Sequence, residues 1–536
     1  MSYLPTIQHL AENPEALEQT YQRAVKAGEQ AAFAEAIEAA RAKAPANLLL
    51  AAWHYRLIGA AVKKRAIAWG WALPLAALNG LLLWLLSDDR WFMLWSTNPL
   101  TGQASTLLPA VVLLAAPISA ATIALFLTLA GGRRPGRAAV ATLALAAAAA
   151  YVLLIFRNVW PRPYQIQYVN LMVMHLALLA WAGVGVVALS RRDGVSGRFA
   201  FLVKSLESFI TVGLLAIAGG LFAAITAGLF DALGIRLPEV VQRLFIAGGG
   251  GLIVVIAVAL VYDPAAAPLQ QPADEGLSKL VALLMRLLLP LAVAVLVVYL
   301  AFIPANWREP FENRGVLLTF NGMLFAVIAL LVGATPVHDA ELDRRGQVWL
   351  RRGAMALAGL AVLVSLYALA AILYRTVNDR LTPNRLVFIG WNVINIAILV
   401  VLLIRQARAG QPAWLAAMHR TFALGTVLYV SWALAGLLAL PWLFQGRSAL
   451  TWAAGLPQSI QDVVFDVPPP ILLKCVDSPH VYLLDQGQKR WIKDIPTFEA
   501  QGYRWNDVLQ WISCADLRQV PDGVPIPPDA GPPPMP

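Results

Sequence analysis

The sequence predicts an all-α polytopic membrane protein of about 11 transmembrane helices, with a helical N-terminal cap and a small α+β C-terminal module. Three observations carry this. The 536 residues are 59% hydrophobic and only 13% charged, a balance that leaves a soluble fold too little polar surface. Between Ala66 and Leu443, eleven apolar runs alternate with short arginine-bearing loops. After Leu443 the composition turns abruptly to proline-punctuated, alternating sequence holding both cysteines, Cys475 and Cys514.

Residues 1–62 are the cap. Alanine, glutamate and glutamine between residues 5 and 60 predict three or four short helices, with Pro14 and Pro45 at helix starts. The stretch from Phe33 through Ile37 and Ala40 to Asn47 is similar to the second helix of a tetratricopeptide repeat, over about one repeat and with Ile37 where an aromatic is usual. A single repeat does not build a repeat core, so a packed helical cap is the plainer reading and a docking site for a cytoplasmic protein the sharper one. The first 45 residues carry no basic n-region followed by an apolar stretch, so targeting is expected to fall to the first span.

Residues 63–445 form the membrane domain. The expected spans are 66–86, 106–130, 138–156, 166–189, 205–230, 242–262, 280–303, 316–335, 353–374, 386–404 and 421–443. Each approaches the ~20 residues that cross a ~30 Å hydrocarbon core at 1.5 Å per residue. Pro74, Pro109, Pro117 and Pro290 fall within them, which a bilayer helix tolerates. Alternate loops carry eighteen Lys and Arg residues on the N-terminal side against eleven on the other. That bias predicts a cytoplasmic N-terminus in a bacterial cytoplasmic membrane, and an odd number of crossings then places the C-terminus outside. The net charge of +10 follows the same loop pattern, so nucleic acid is not an expected partner; the lipid bilayer is.

The intramembrane polar candidates are Glu207, Arg286, Asn170, His175, Asn321, Asn392 and Asn395. Glu207 and Arg286 would sit near the cytoplasmic boundary, snorkelling or pairing with each other across neighbouring helices, or serving a relay. The amides and His175 either bond helix to helix or line a polar path; Asn392 and Asn395 share one helix face. Glycines 213, 219, 220 and 228 and the run 248–251 read as close helix packing, or as a broken helix beside a substrate path. No His has a second His or a Cys within the next four residues, so neither a metal nor a cofactor is expected.

Residues 446–470, with four prolines, read as a linker, 471–523 as the extracytoplasmic module and 524–536 as a disordered tail. Val481–Asp485 and Lys489–Lys493 about the Gly-containing turn Gln486-Gly487-Gln488 predict a β-hairpin, and Ile495–Gly502 a short helix. Cys475 and Cys514 both fall in the oxidising compartment of this threading and enclose hairpin and helix, which predicts a disulfide; two free thiols are the alternative. Lys489, Arg490, Lys493 and Arg504 are expected to be exposed, as a solvated basic face or as a contact for acidic wall polymers.

Short motifs add two resemblances. Phe199–Asp231, Leu260-Val-Tyr-Asp-Pro264, Tyr299-Leu-Ala-Phe-Ile-Pro304 and Asp379-Arg-Leu-Thr-Pro-Asn-Arg385 resemble a family of uncharacterised polytopic bacterial membrane proteins, which implies location and topology and no catalytic residue. From Lys474 to Gly523, VYLLDQGQKRWI, TFEAQGYRWNDV and ADLRQVPDG resemble a module of secreted and surface-anchored bacterial proteins, which implies an envelope setting. Since no nucleotide loop or catalytic triad stands out, the leading expectation is a non-enzymatic envelope scaffold or sensor presenting the outward module. A transporter or channel with a polar path through spans 4, 8 and 10 is the alternative. A membrane-embedded transferase on a lipid-linked substrate, using Asp88, Asp89, Glu309 or Glu312, comes third.

Overall fold

The structure is a computed structural model that describes all residues except 1–2, 28, 61–66, 191, 272–275, 313 and 379. Lys63, Lys64, Arg65 and Arg191, counted among the loop charges above, and Asp379, which opens the last of the membrane-family motifs, lie outside the described residues. Met1–Ala68 and Trp69–Pro536 are separate compact units.

The first unit contains α1 (Leu4–His9), α2 (Pro14–Ala27), α3 (Gln30–Lys43) and α4 (Leu48–Ala60). Its core is built on Phe33, whose ring meets Tyr3, Tyr21 and Trp53 at 5.4 to 5.8 Å. Asn47 starts α4 by accepting from the Leu50 amide, while its own amide donates to the Ala11 carbonyl. Arg56 lies 4.3 Å over the Trp53 ring and pairs with Glu18.

The second unit begins with α5 (Trp69–Leu86), the hairpin β1–β2 (Met93–Thr97, Ala104–Pro109), α6 (Ala110–Gly131), α7 (Pro135–Ile155) and α8 (Arg162–Ala188). There follow α9 (Gly194–Ala232), α10 (Glu239–Val261), α11 (Gly276–Phe302), α12 (Arg314–Ala334), α13 (Arg344–Asn378), α14 (Pro383–Ala409) and α15 (Trp414–Leu443). Among the described residues ten helices are long and apolar enough to cross a membrane, so the chain is a multipass membrane protein. The eighth expected span falls on α12, whose apolar described stretch, Thr319–Ala334, is shorter than the other ten.

Loop contacts sort the helix ends into two faces. On one, Arg243 pairs with Asp88 at 2.9 Å, Tyr367 donates to the Trp307 carbonyl, and Trp160 donates to the Phe444 carbonyl. On the other, Arg133 reaches the carbonyls of Pro264 and Ala266, Arg137 that of Leu189, and His419 bonds that of Pro336. Each of these contacts joins loops or helix ends that the hydropathy assigns to the same side.

The glycine run is a close-packing device. A Cβ on Gly80 of α5 would lie 2.7 Å from the Gly248 carbonyl oxygen, and one on Gly251 3.0 Å from the Asn79 carbonyl. Only glycine lets α5 and α10 approach so closely, and α10 carries a π-helical turn at Leu244–Gly248 there. On α9 the expectation fails: Gly213, Gly220 and Gly228 face open space.

Residues 446–470 are not a loose linker. They form α16 (Arg447–Ala453) and α17 (Gln458–Asp466), and Ile460, Val463 and Val464 bury the i, i+3, i+4 stripe of α17. A four-stranded sheet follows, ordered β5-β4-β3-β6, with β3 Ile471–Cys475, β4 Val481–Asp485, β5 Gln488–Ile492 and β6 Val508–Ile512. The β4–β5 hairpin turns on Gln486 and Gly487, both at positive φ, as a twisted two-residue turn requires. β3 pairs with β4 antiparallel and with β6 parallel. Asp494 caps the helix α18 (Ile495–Ala500) at the Thr497 amide, and Gly502 takes φ +74° beyond its end. Cys475 is disulfide-bonded to Cys514, the first residue of α19 (Cys514–Gln519), with Cα atoms 5.0 Å apart.

The tail also differs from expectation. Ile526 is buried, its amide donates to the Trp491 carbonyl, and its carbonyl accepts from Lys493. The β5 edge offers unpaired backbone groups, and the tail satisfies them despite its prolines.

Candidate functional site

Three polar constellations stand out. The first brings Glu207 together with Lys204, its neighbour one turn earlier on α9. Lys204 Nζ lies 2.9 Å from Glu207 Oε2, one turn along α9, and donates to Ser278 Oγ of α11 at 2.8 Å. Ser278 in turn donates to Glu207 at 2.8 Å. Both charged side chains are buried, so this closed triangle is what makes their ionisation tolerable away from water. The expected Glu207–Arg286 pairing does not form. Arg286 instead pairs with Glu341 at 2.9 Å and donates to the Ala334 carbonyl, because Glu341 is presented by the loop after α12.

Lys204 and Ser205 line a cavity of about 620 Å³ between α6, α8, α9 and α10, whose walls are mostly alanine, valine, leucine and isoleucine with Trp181, Phe201 and Tyr262 among them. Ser119 also faces it, held by Asn79, which donates to Ser119 Oγ at 3.0 Å and to the Gly251 carbonyl at 2.8 Å. Asn79 is fully buried and was missed; the signal was a lone amide beside a glycine in an apolar run. Chemically, the cavity suits an apolar chain or ring far better than a hydrated ion.

The second constellation unites the eighth and tenth spans with neighbours from the fourth and eleventh. Asn392 donates to Asn321 at 2.6 Å and to the Phe388 carbonyl, and Tyr429 donates to Asn395 at 2.5 Å. Trp391 sits among them, 5.2 Å from the Tyr429 ring, 5.6 Å from Phe325 and 5.9 Å from His175. His175 Nδ1 bonds the Leu171 carbonyl. His175 Nε2, Asn392 Oδ1 and Asn395 Nδ2 make no hydrogen bond among the described residues. Asn170 does not join: it is exposed on the other side of α8, since five residues carry it well round the helix from His175.

The third is the module and its seat. Asp462 accepts from Asn98 at 2.9 Å and from Thr101 at 2.7 Å. Arg162 pairs with Asp466 at 2.8 Å, Arg380 donates to the Pro468 and Pro469 carbonyls, and the Trp160 ring lies 4.9 Å from Phe465. Burial pushes the Asp466 carboxyl up against the pull of Arg162. The module's expected basic face is smaller than the sequence suggests. Lys489 is buried, paired with Asp522 at 3.0 Å and bonded to the Val520 carbonyl, since its strand position points inward and the tail brings acceptors to it. Arg490 is partly covered by Asp485 and the Val524 carbonyl. Lys493 and Arg504 are exposed. Lys493 lines a pocket of about 400 Å³ with His480, Asp494 and Trp505, and Trp505 stacks on Phe498 at 4.4 Å.

Among the described residues no three His, Cys, Asp or Glu side chains are placed to hold a metal ion. No family model matches the chain, and no curated protein or solved structure does either. The short-motif resemblances therefore gain no support from relatives, and function has to be argued from the sites alone.

Proposed function

We propose that this chain is a non-enzymatic membrane scaffold or sensor of a bacterial envelope, with its N-terminus in the cytoplasm and its C-terminal module outside. One observation carries the reading: the module is seated on the membrane helices through Asp462, Asp466 and Arg380, so it is held at a fixed attitude to the bilayer. The arginine-rich loops at the opposite face support the orientation. The disulfide supports an oxidising compartment for the module. The pocket of His480, Lys493 and Trp505 is the contact for an acidic, sugar-containing envelope polymer: the indole offers a flat apolar face and the ammonium a counter-charge. The helical unit at residues 1–62 is the contact for a cytoplasmic protein.

The test is co-sedimentation of the full-length protein in micelles with purified bacterial cell-wall sacculi. The wild type should pellet with the wall, and Trp505→Ala with Lys493→Gln should leave it in the supernatant. Equal pelleting of both proteins, or none of either, overturns the proposal.

A second reading, transport, is favoured by the unpaired buried atoms of His175, Asn392 and Asn395. Solute flux in proteoliposomes that is abolished by Asn392→Ala and His175→Ala would replace the scaffold reading with this one.

A further inference from the structure

The face that carries the arginine-rich loops has a groove the scaffold reading does not use. It has a volume of about 540 Å³ and lies between α8, α9 and α15, with Arg137 of α7 at its rim. One end is basic. Arg137 is fixed there by donating Nη1 to the Leu189 carbonyl at 2.8 Å, and Arg198 and Ser190 stand beside it. Neither arginine forms an ion pair among the described residues, and no acidic side chain lines the groove. The rest is mostly apolar, with Val186, Val427 and Val430 as walls interrupted by Thr426 and Ser431, and with Gly185 packed against the Phe201 ring. From Leu189 to Trp181 on α8, and from Ala423 to Ser431 on α15, the groove runs eight residues, about 12 Å of helix, toward the middle of the bilayer.

Trp181 and Phe201 stack at 5.6 Å, and Trp181 is anchored by its bond to Ser205 at 2.9 Å. Both rings line this groove and also the cavity beside Lys204, so they form the wall between the two.

We infer that this groove binds one anionic phospholipid, its phosphodiester between Arg137 and Arg198 and an acyl chain along Val186, Val427 and Val430. The charge pattern selects the occupant. Two guanidinium groups without acidic partners at the membrane boundary attract an anion, and a planar guanidinium meets a phosphodiester through paired N–H donors. The apolar slot below them, opening toward the bilayer middle, favours an anion that carries its own hydrocarbon. A zwitterionic lipid brings the same phosphate with a cation attached, which the arginines repel.

The test is native mass spectrometry of the full-length protein released from micelles, titrated with phosphatidylglycerol or phosphatidylcholine of identical acyl chains. The wild type should retain phosphatidylglycerol about tenfold better. Arg137→Gln with Arg198→Gln should bring that ratio to about one, while Arg345→Gln, an exposed arginine on α13 outside the groove, should leave it unchanged. Val427→Trp keeps both charges and fills the slot, and should lower retention of both lipids. An unchanged ratio in the double variant, an equal loss in Arg345→Gln, or unaffected retention in Val427→Trp each overturns the site. Displacement of the lipid by millimolar inorganic phosphate would overturn it too, by showing a free-anion site.

Discussion

The interior of the membrane body and the seat of the module solve the same problem, joining one element to another, with different chemistry. Inside the body the interhelical polar ties are mostly neutral: Asn392 to Asn321, Tyr429 to Asn395, Asn79 to Ser119. The buried charged pair Lys204–Glu207 is closed on itself by Ser278. At the seat, where water reaches, the ties are ionic and open: Arg162 with Asp466 and Arg380 with bare carbonyls, and Arg243 with Asp88 is a similar pair between helix ends outside the seat. There the Arg243 guanidinium beside Asp88 holds its carboxyl below the usual range. The difference teaches that the cost of an unmet partner sets the glue. In hydrocarbon a lost partner strands a charge, so neutral amides are used; at the surface water replaces the partner, so charges are cheap but weak.

That contrast can be broken most directly at Glu207. Glu207→Leu strands the Lys204 ammonium and should destabilise the protein by about 3–5 kcal/mol in denaturant titration, whereas Lys204→Met with Glu207→Leu should recover most of the loss. A recovery no better than the single variant would mean that the pair is not self-contained. The covalent tie at the module comes next. With the cysteines 39 positions apart, Cys475→Ser with Cys514→Ser should cost the module about 4 kcal/mol at most on the chain-entropy account, read as faster proteolysis within 476–513.

Asn392→Leu removes the interhelical bond to Asn321 along with the local one to the Phe388 carbonyl and should cost about 1 kcal/mol. A loss as large as that of Glu207→Leu would show that the amides behave as a single network. The smallest effect is expected at Asp466→Asn, under about 1 kcal/mol in module seating measured by cross-linking across 98 and 462. Its folded pKa is raised, so folding favours the neutral carboxyl. That contribution is present at low pH and fades as pH rises through the raised value, so mild acid should not unseat the module.

Much of this architecture was legible in the sequence because it depends on length and period. The apolar runs fix spans, Gln486-Gly487 fixes the hairpin, and Asp494 with Gly502 fixes a short helix. Partner choice was not legible. Arg286 and Glu341 are 55 residues apart, and nothing local says that the loop after α12 returns to α11. Lys489 sits in a basic run with the exposed Lys493, and its burial is set by a segment more than thirty residues on. In residues 446–470 the prolines outweighed a visible clue, the spacing of Ile460, Val463 and Val464. Strands β3 and β6 escaped notice because each is five residues and their parallel pairing joins distant segments.

The return of residues 521–526 along β5 also bears on how copies of this protein behave when crowded. An outer strand with open amides and carbonyls invites a neighbour's strand to continue the ladder, the first step toward fibrous aggregates. With Gly523 donating to the Lys489 carbonyl and Ile526 to that of Trp491, that invitation is withdrawn. A stretch that contributes no chemistry thereby keeps an exposed, tryptophan-bearing module from sticking to its own kind.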